Sequence, residues 1–144
     1  MKFTESEKYK KNIFSFDMLG EGARTMEDAE KYFQDYIKSI HAVGKLLNNS
    51  SEIKYANGVS IKISALHPRY ERNKSEDLEK ELLPKLVKLC EISKQYNIQL
   101  CIDAEENYRL ILSLKILDKL SSNQNLLGWN GLGLAVQAYQ KRAF

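Results

Sequence analysis

Short apolar runs that end in a polar side chain alternate along this chain with longer stretches of helical periodicity. The runs are Phe14-Ser15-Phe16-Asp17, Val59-Ser60-Ile61-Lys62-Ile63, Leu100-Cys101-Ile102-Asp103 and Leu132-Gly133-Leu134-Ala135-Val136-Gln137. Their spacing of roughly 35–45 residues fits a strand, a loop, a helix and a return loop, which predicts four βα units of an α/β fold. Thr25 ahead of Met26-Glu27-Asp28 reads as an N-cap with acidic residues in the first turn. Ala29, Tyr32, Phe33, Tyr36, Ile37, Ile40 and Val43 then recur at spacings of three and four, as on an amphipathic helix that Asn48-Asn49-Ser50-Ser51 ends. Asn57-Gly58 is expected to turn the chain into the second strand.

The second helix is expected to open at Ser75, carry Leu78, Leu82, Leu86, Leu89 and Cys90 on one side, and close at Asn97. Pro84 lies inside that pattern and is expected to kink or restart it, because proline removes a hydrogen-bond donor. Glu105 and Glu106 are expected to start the third helix, with Ile111, Leu114, Leu117 and Leu120 as its apolar stripe. A polar loop from Ser121 to Gly131 should pack Trp129 beneath the fourth strand.

If these are barrel-type units, the chemistry belongs at the C-terminal ends of the strands, where βα loops share one face. Asp17, Lys62, Asp103 and Gln137 hold such places. Lys62, flanked by Ile61 and Ile63, must point away from both, and so away from the helices if the isoleucines pack against them. An ammonium there needs a carboxylate, and Asp103 is the expected partner, as a plain structural ion pair or as part of a site. An amide such as Gln137 both donates and accepts, which suits a heterocycle with alternating carbonyl and N–H groups. Glu21, in a loop bordered by Gly20 and Gly22, could reach over the same face. In the loop His67-Pro68-Arg69-Tyr70, the arginine is expected to face solvent.

Length bears on this picture. The 144 residues and 43% hydrophobic content suit one domain with a core. An eight-stranded barrel takes about 250 residues, so a truncated (β/α)8 TIM-type barrel of about four βα units is expected. Residues 1–12 read as a polar tail and 13–144 as the N-terminal half of the barrel, ending where a fourth helix would begin. The formal net charge of +3 is spread over both signs, and Lys8-Tyr9-Lys10-Lys11 reads as a solvated run. With no basic recognition helix, no nucleic-acid partner is expected. No run of 18 apolar residues and no signal-peptide core are present, so no transmembrane segment is expected. Cys90 and Cys101 are too few for a disulfide framework and are expected to be buried free thiols, which fits a cytoplasmic location. His41 and His67 fall in unrelated elements, so no metal site is expected.

Five segments together resemble the proline dehydrogenase family, in particular the flavin domain of the bacterial bifunctional proline utilization proteins. They are Phe16-Asp17-Met18-Leu19-Gly20-Glu21, Ser60-Ile61-Lys62-Ile63-Ser64-Ala65-Leu66-His67-Pro68-Arg69-Tyr70, Ile102-Asp103-Ala104-Glu105-Glu106, Gly128-Trp129-Asn130-Gly131 and Val136-Gln137-Ala138-Tyr139-Gln140-Lys141-Arg142. The resemblance spans about Phe14 to Arg142. It implies a distorted (β/α)8 barrel that holds FAD and oxidises L-proline to Δ1-pyrroline-5-carboxylate. It further implies that Lys62 holds the substrate carboxylate and that Asp103 lies beside it near flavin and substrate. Gln137 would hydrogen-bond the isoalloxazine ring, and Glu21 would belong to a loop that closes over the substrate. The family's fifth strand with its flavin-contacting arginine, its phosphate-binding segments and its paired substrate arginines have no counterpart here. The expectation is therefore a fragment inactive alone, or else a non-catalytic half-barrel that acts only by association with a second-half chain or with itself, or is a gene remnant.

Overall fold

Four parallel strands pair in the order of the chain, and the helices between them pack on one side of the sheet. The computed structural model describes residues 12–18, 22–46, 51–70 and 75–143. The elements are β1 (Ser15–Asp17), α1 (Met26–Leu46), β2 (Gly58–Ile61), α2 (Ser75–Gln95), β3 (Gln99–Ile102), α3 (Leu110–Ser121) and β4 (Leu132–Leu134). Because the pairing is parallel, register partners point to the same face. Phe16, Val59, Leu100 and Leu132 share one row, and Ile61, Ile102 and Leu134 another. This is the helix side, where Val59, Ile61, Leu100 and Ile102 are essentially sealed from water against Tyr36, Ile40, Leu82, Leu86 and Leu89. The opposite face carries Asp17, Ser60, Cys101 and Gly133, which are small or polar.

Local signals account for the start of α1 and the end of α2. At the start of α1, the Thr25 hydroxyl accepts from the Asp28 N–H at 3.0 Å, and Asp28 Oδ2 accepts from the N–H groups of Thr25 (3.0 Å) and Arg24 (3.1 Å). This reciprocal box satisfies amide donors that a helix start leaves open. The hydrogen bonds from Thr25 hold the Asp28 carboxyl below its ordinary value. A depressed folded pKa means that the stabilisation is present above the unfolded value of 3.8 and is lost as pH falls through the folded value. Thr25→Ala should cost about 1 kcal/mol in denaturant melts at neutral pH, and the difference from wild type should shrink in acid. A penalty that stays constant down to strong acid would exclude the carboxylate from the effect.

The end of α2 uses another device. Asn97 adopts φ 50°, its N–H donates to Lys94 O at 3.0 Å, and Ile98 N–H donates to Ser93 O at 3.1 Å. This pair of bonds is a Schellman closure, with asparagine in the left-handed position that usually takes glycine. Pro84 does not restart the helix: α2 runs unbroken from Ser75 to Gln95. One lost hydrogen bond and a ring clash cost about 3 kcal/mol, and burial of Leu78, Leu82, Leu86 and Leu89 offsets that. Gly58 is the first residue of β2 rather than a turn residue. It is needed because a Cβ there would lie 2.7 Å from the Gln99 Cβ.

Gly44, inside α1, is a similar case. An added Cβ would run into the Tyr96 ring. Helix propensity alone favours alanine by about 1 kcal/mol, but overpacking typically costs about 1–3 kcal/mol. Gly44→Ala should therefore lower stability in denaturant melts, and a gain would mean that the ring moves aside freely.

Three expected features need correction. The second strand ends at Ile61, and Ile63–Ala65 form a 3-10 turn instead of continuing it. The third helix begins at Leu110 after a 3-10 turn at Asn107–Arg109, so Glu105 and Glu106 precede it without lying in its first turn. Its buried face is Leu112, Ser113, Ile116 and Leu120, whereas Ile111 and Leu114 are exposed. The expected stop at Asn48-Asn49-Ser50 and most of the polar tail lie outside the described residues.

Candidate functional site

The register that builds the sheet also places its charged residues. Ile61 pairs with Ile102, so the next residues, Lys62 and Asp103, lie side by side on the face away from the helices. Asp17 pairs with Ser60, one step lower on that face. Lys62 Nζ donates to Asp103 Oδ2 at 3.0 Å and to both oxygens of Asp17, at 2.9 and 3.0 Å. The Lys62 side chain is 18% exposed, that of Asp103 24% and that of Asp17 54%. Burial alone would lower the lysine pKa, but the two carboxylates more than offset it and hold the value above the ordinary one. Three charged groups thus carry a net charge of −1 at the C-terminal ends of β1, β2 and β3.

A pocket opens beside this cluster, lined by Asp103, Leu134, Ala135, Gln137, Gln140 and Arg142 among others. Gln137 is not at a strand end as expected. β4 stops at Leu134, and Gln137 sits in the following turn, although Ala135 N–H still reaches Ile102 O at 2.8 Å. Its Oε1 accepts from the Tyr139 hydroxyl (3.1 Å) and from Gln140 Nε2 (3.2 Å), and among the described residues its own N–H groups have no hydrogen-bond partner at the pocket that Gln137 lines. Arg142 donates to Gln140 Oε1 at 2.9 Å and to Asn107 O at 3.2 Å. The structure therefore gathers Lys62, Asp103 and Asp17 into one contact network and sets Gln137 across the same pocket from Asp103. Glu21 lies outside the described residues.

A second polar cluster, which sequence reasoning missed, borders the same pocket through Glu105, Glu106 and Ser113. Glu105 Oε1 accepts from Ser64 N–H at 3.0 Å, and its Oε2 accepts from Arg109 Nη1 at 3.0 Å. Arg109 also pairs with Glu106 at 2.9 Å and lies over the rings of Tyr70 and Tyr108, at 5.3 and 5.4 Å. The Tyr70 hydroxyl meets Ser113 Oγ at 2.8 Å, and burial pushes its pKa up to about 12. Glu105, expected to be a helix-end charge, instead latches the turn after Lys62 to the segment after Asp103. Glu105→Ala would orphan a backbone N–H and strip Arg109 of one partner, at about 2–3 kcal/mol in denaturant melts. A loss under about 0.5 kcal/mol, the scale of an ordinary surface change, would mean that the latch carries no structure.

Other sequence-based candidates take ordinary places. His67 is buried, its Nε2 against Glu81 Oε2 at 3.0 Å while its Nδ1 accepts from Arg69 N–H at 3.1 Å. Arg69 is exposed. Cys90 is buried, and burial pushes its thiol up to about 12, so it is an inert core residue. Cys101 is only half-buried, because it faces the polar side of β3. Among the described residues no group of His, Cys, Asp or Glu is arranged to hold a metal, and no helix is long and apolar enough to cross a membrane.

The proline dehydrogenase family model matches residues 1–144. The chain belongs to the proline dehydrogenase family. It is 49% identical over 129 residues to the bifunctional protein PutA of Escherichia coli (strain K12), which covers 90% of this chain and 10% of that one. It is 47% identical over 129 residues to PutA of Rhizobium meliloti, with the same coverage. The chain thus spans about a tenth of the length of the curated relatives it matches. Among solved structures, a Bradyrhizobium japonicum proline utilization A mutant superposes with a TM-score of 0.86 at 45% identity, covering 90% of this chain and 13% of that one. Proline utilization A from Bdellovibrio bacteriovorus has a TM-score of 0.82 at 19% identity over 94% of this chain and 15% of its own, which is a likeness of fold. For this proline dehydrogenase-family segment, the four parallel strands and their helices are accordingly the fold of the matching part of PutA.

Proposed function

We propose that this chain forms the first four units of a (β/α)8 proline dehydrogenase barrel and carries the end of the site that receives L-proline. The observation that carries the reading is the Lys62 ammonium held between Asp17 and Asp103 at the mouth of three adjacent parallel strands. The substrate is a zwitterion, and the cluster offers one positive and two negative groups to match it. Asp17, the exposed partner with both oxygens on Lys62, is the group that the substrate carboxylate displaces. Asp103 stays in place and favours positive charge at the ring nitrogen. The reaction turns the ring carbon–nitrogen single bond into a double bond, with loss of a hydride from carbon and a proton from nitrogen.

The pocket residues fit one edge of FAD: Leu134, Ala135 and Val136 supply an apolar wall, and the N–H groups of Gln137 match a ring acceptor. When bound there, FAD supplies the two-electron acceptor. The chain's own residues would bind and orient: Lys62 would fix the carboxylate, and Gln137 would hydrogen-bond the heterocycle. In the family, the remaining flavin and carboxylate contacts come from later barrel units, so we infer that the segment does not turn over proline alone. The test mixes the chain with FAD, L-proline and an electron-accepting dye, without and with a separately produced continuation of the barrel. Turnover only with the continuation is expected. Turnover by the segment alone would refute its dependence, and none with either would refute the assignment.

A second reading, a non-catalytic half-barrel that acts by association with a partner chain or a second copy, is favoured by one observation. Six of the exposed large apolar residues, Tyr108, Ile111, Leu114, Leu127, Val136 and Tyr139, lie on α3 and its approach or on the segments flanking β4. They sit beside the open edge of β4, where a fourth helix and the units after it would pack. The same dye assay separates the two readings, because the second expects association without turnover.

A further inference from the structure

We propose that Tyr36 is a positioning residue for the Lys62 ammonium: its buried hydroxyl fixes the peptide group from which that side chain leaves β2. Gly58 N–H bonds to Phe14 O at 2.9 Å, and the alternation of a parallel ladder turns the N–H groups of Gly58, Ser60 and Lys62 toward β1. β1 ends at Asp17, one step too early to receive the last of them. The Tyr36 hydroxyl, from a side chain with no exposed surface on α1, accepts that N–H at 2.9 Å. The carbonyl of the same peptide group, Ile61 O, accepts from Asp103 N–H at 2.9 Å.

One peptide plane is therefore held at both ends. Tyr36 grips its N–H, and the backbone of Asp103, which carries the partner carboxylate, grips its C=O. Rotation of this plane would move the Lys62 side chain relative to Asp103 and Asp17 together. The hydroxyl stays neutral through the physiological range, because burial raises its pKa. Tyr36 touches neither the pocket nor any ligand group, so its influence passes through Lys62. In the sequence it was one apolar position among seven.

This inference rests on the proposed reading of the site only where catalysis is measured. In the complete barrel, Tyr36→Phe keeps the ring but loses the acceptor. The expected result is a KM for L-proline raised about tenfold with kcat changed less than about threefold, the signature of lost binding geometry. Incorporation of 3-fluorotyrosine at position 36, which retains a hydroxyl, should restore KM. In 15N-lysine spectra, the Lys62 ammonium protons should exchange with water faster in Tyr36→Phe than in wild type. Unchanged KM and unchanged exchange overturn the proposal, as does an equal fall in kcat and kcat/KM without an exchange effect. If L-proline proves not to be a substrate, the exchange measurement still decides the role of Tyr36. If Tyr36→Phe fails to fold, wild-type amide exchange decides it. Protection of Lys62 N–H like that of Gly58 and Ser60 supports the hydrogen bond, and rapid exchange overturns it.

Discussion

Lys62→Met in the complete barrel should lower kcat/KM for L-proline by about 100-fold or more. Two charge-assisted hydrogen bonds to the substrate carboxylate are lost, each contributing about 1.5–3 kcal/mol, and tenfold in binding corresponds to about 1.4 kcal/mol. Methionine keeps most of the length and apolar stem, so the loss reports charge rather than volume. Asp103→Asn should also impair turnover, whereas Asp17→Asn should be milder, because Asp17 is the partner that yields its place. Steady-state dye reduction with the three variants checks the order, and an Asp17 variant worse than Lys62→Met would reverse the assigned roles.

The same lysine gives a stability prediction with a definite sign. Its folded pKa lies above the unfolded value of 10.5, so its contribution is fully present below that value and is lost as pH rises through the folded pKa. The difference in melting temperature between wild type and Lys62→Met should thus be constant from neutral pH to about pH 9 and shrink only in stronger alkali. A difference that shrinks below that point would mean that the carboxylates do not hold the proton on.

Leu100→Ala should be the most damaging single truncation of the core. Leu100 stands in the central strand β3 with its side chain sealed between β2, β4 and the helices. Large-to-small changes at such positions cost about 2–5 kcal/mol. For a chain of this size that lowers the melting temperature by about 5–15 °C, read by circular dichroism. Ile111→Ala gives the contrast: that side chain is about half exposed on α3, so the same assay should move little. If α3 is instead the face on which the barrel continues, Ile111→Ala should weaken association with the continuation. Equal losses for the two substitutions would mean that the exposed face of α3 is already covered in solution.

The contrast also marks what the sequence made legible. Period-two alternation and strand-end polarity located β2 and β3, and with them the Lys62–Asp103 contact, because neighbouring parallel strands put equivalent positions side by side. α3 was misread because Leu110-Ile111-Leu112-Ser113-Leu114 is apolar almost all round. Two stripes are then possible, and only the tertiary setting selects between them. Gln137 was placed one element too early, since an apolar run does not say where its hydrogen-bond ladder stops. The roles of Tyr36 and Glu105 were hidden for a different reason. Each depends on a single backbone N–H left over at the end of a strand or in the turn beyond it, and such leftovers have no sequence signature. Asp17 was legible as a strand-end acid, but its two-oxygen grip on Lys62 follows only from register.

The most direct test follows the Lys62 side-chain 15N resonance while L-proline is added to the complete barrel. A saturable shift with the same midpoint as substrate binding is expected, together with loss of proline binding in Lys62→Met. A resonance that ignores saturating L-proline, with full turnover retained by Lys62→Met, would contradict the role of Lys62 in proline binding.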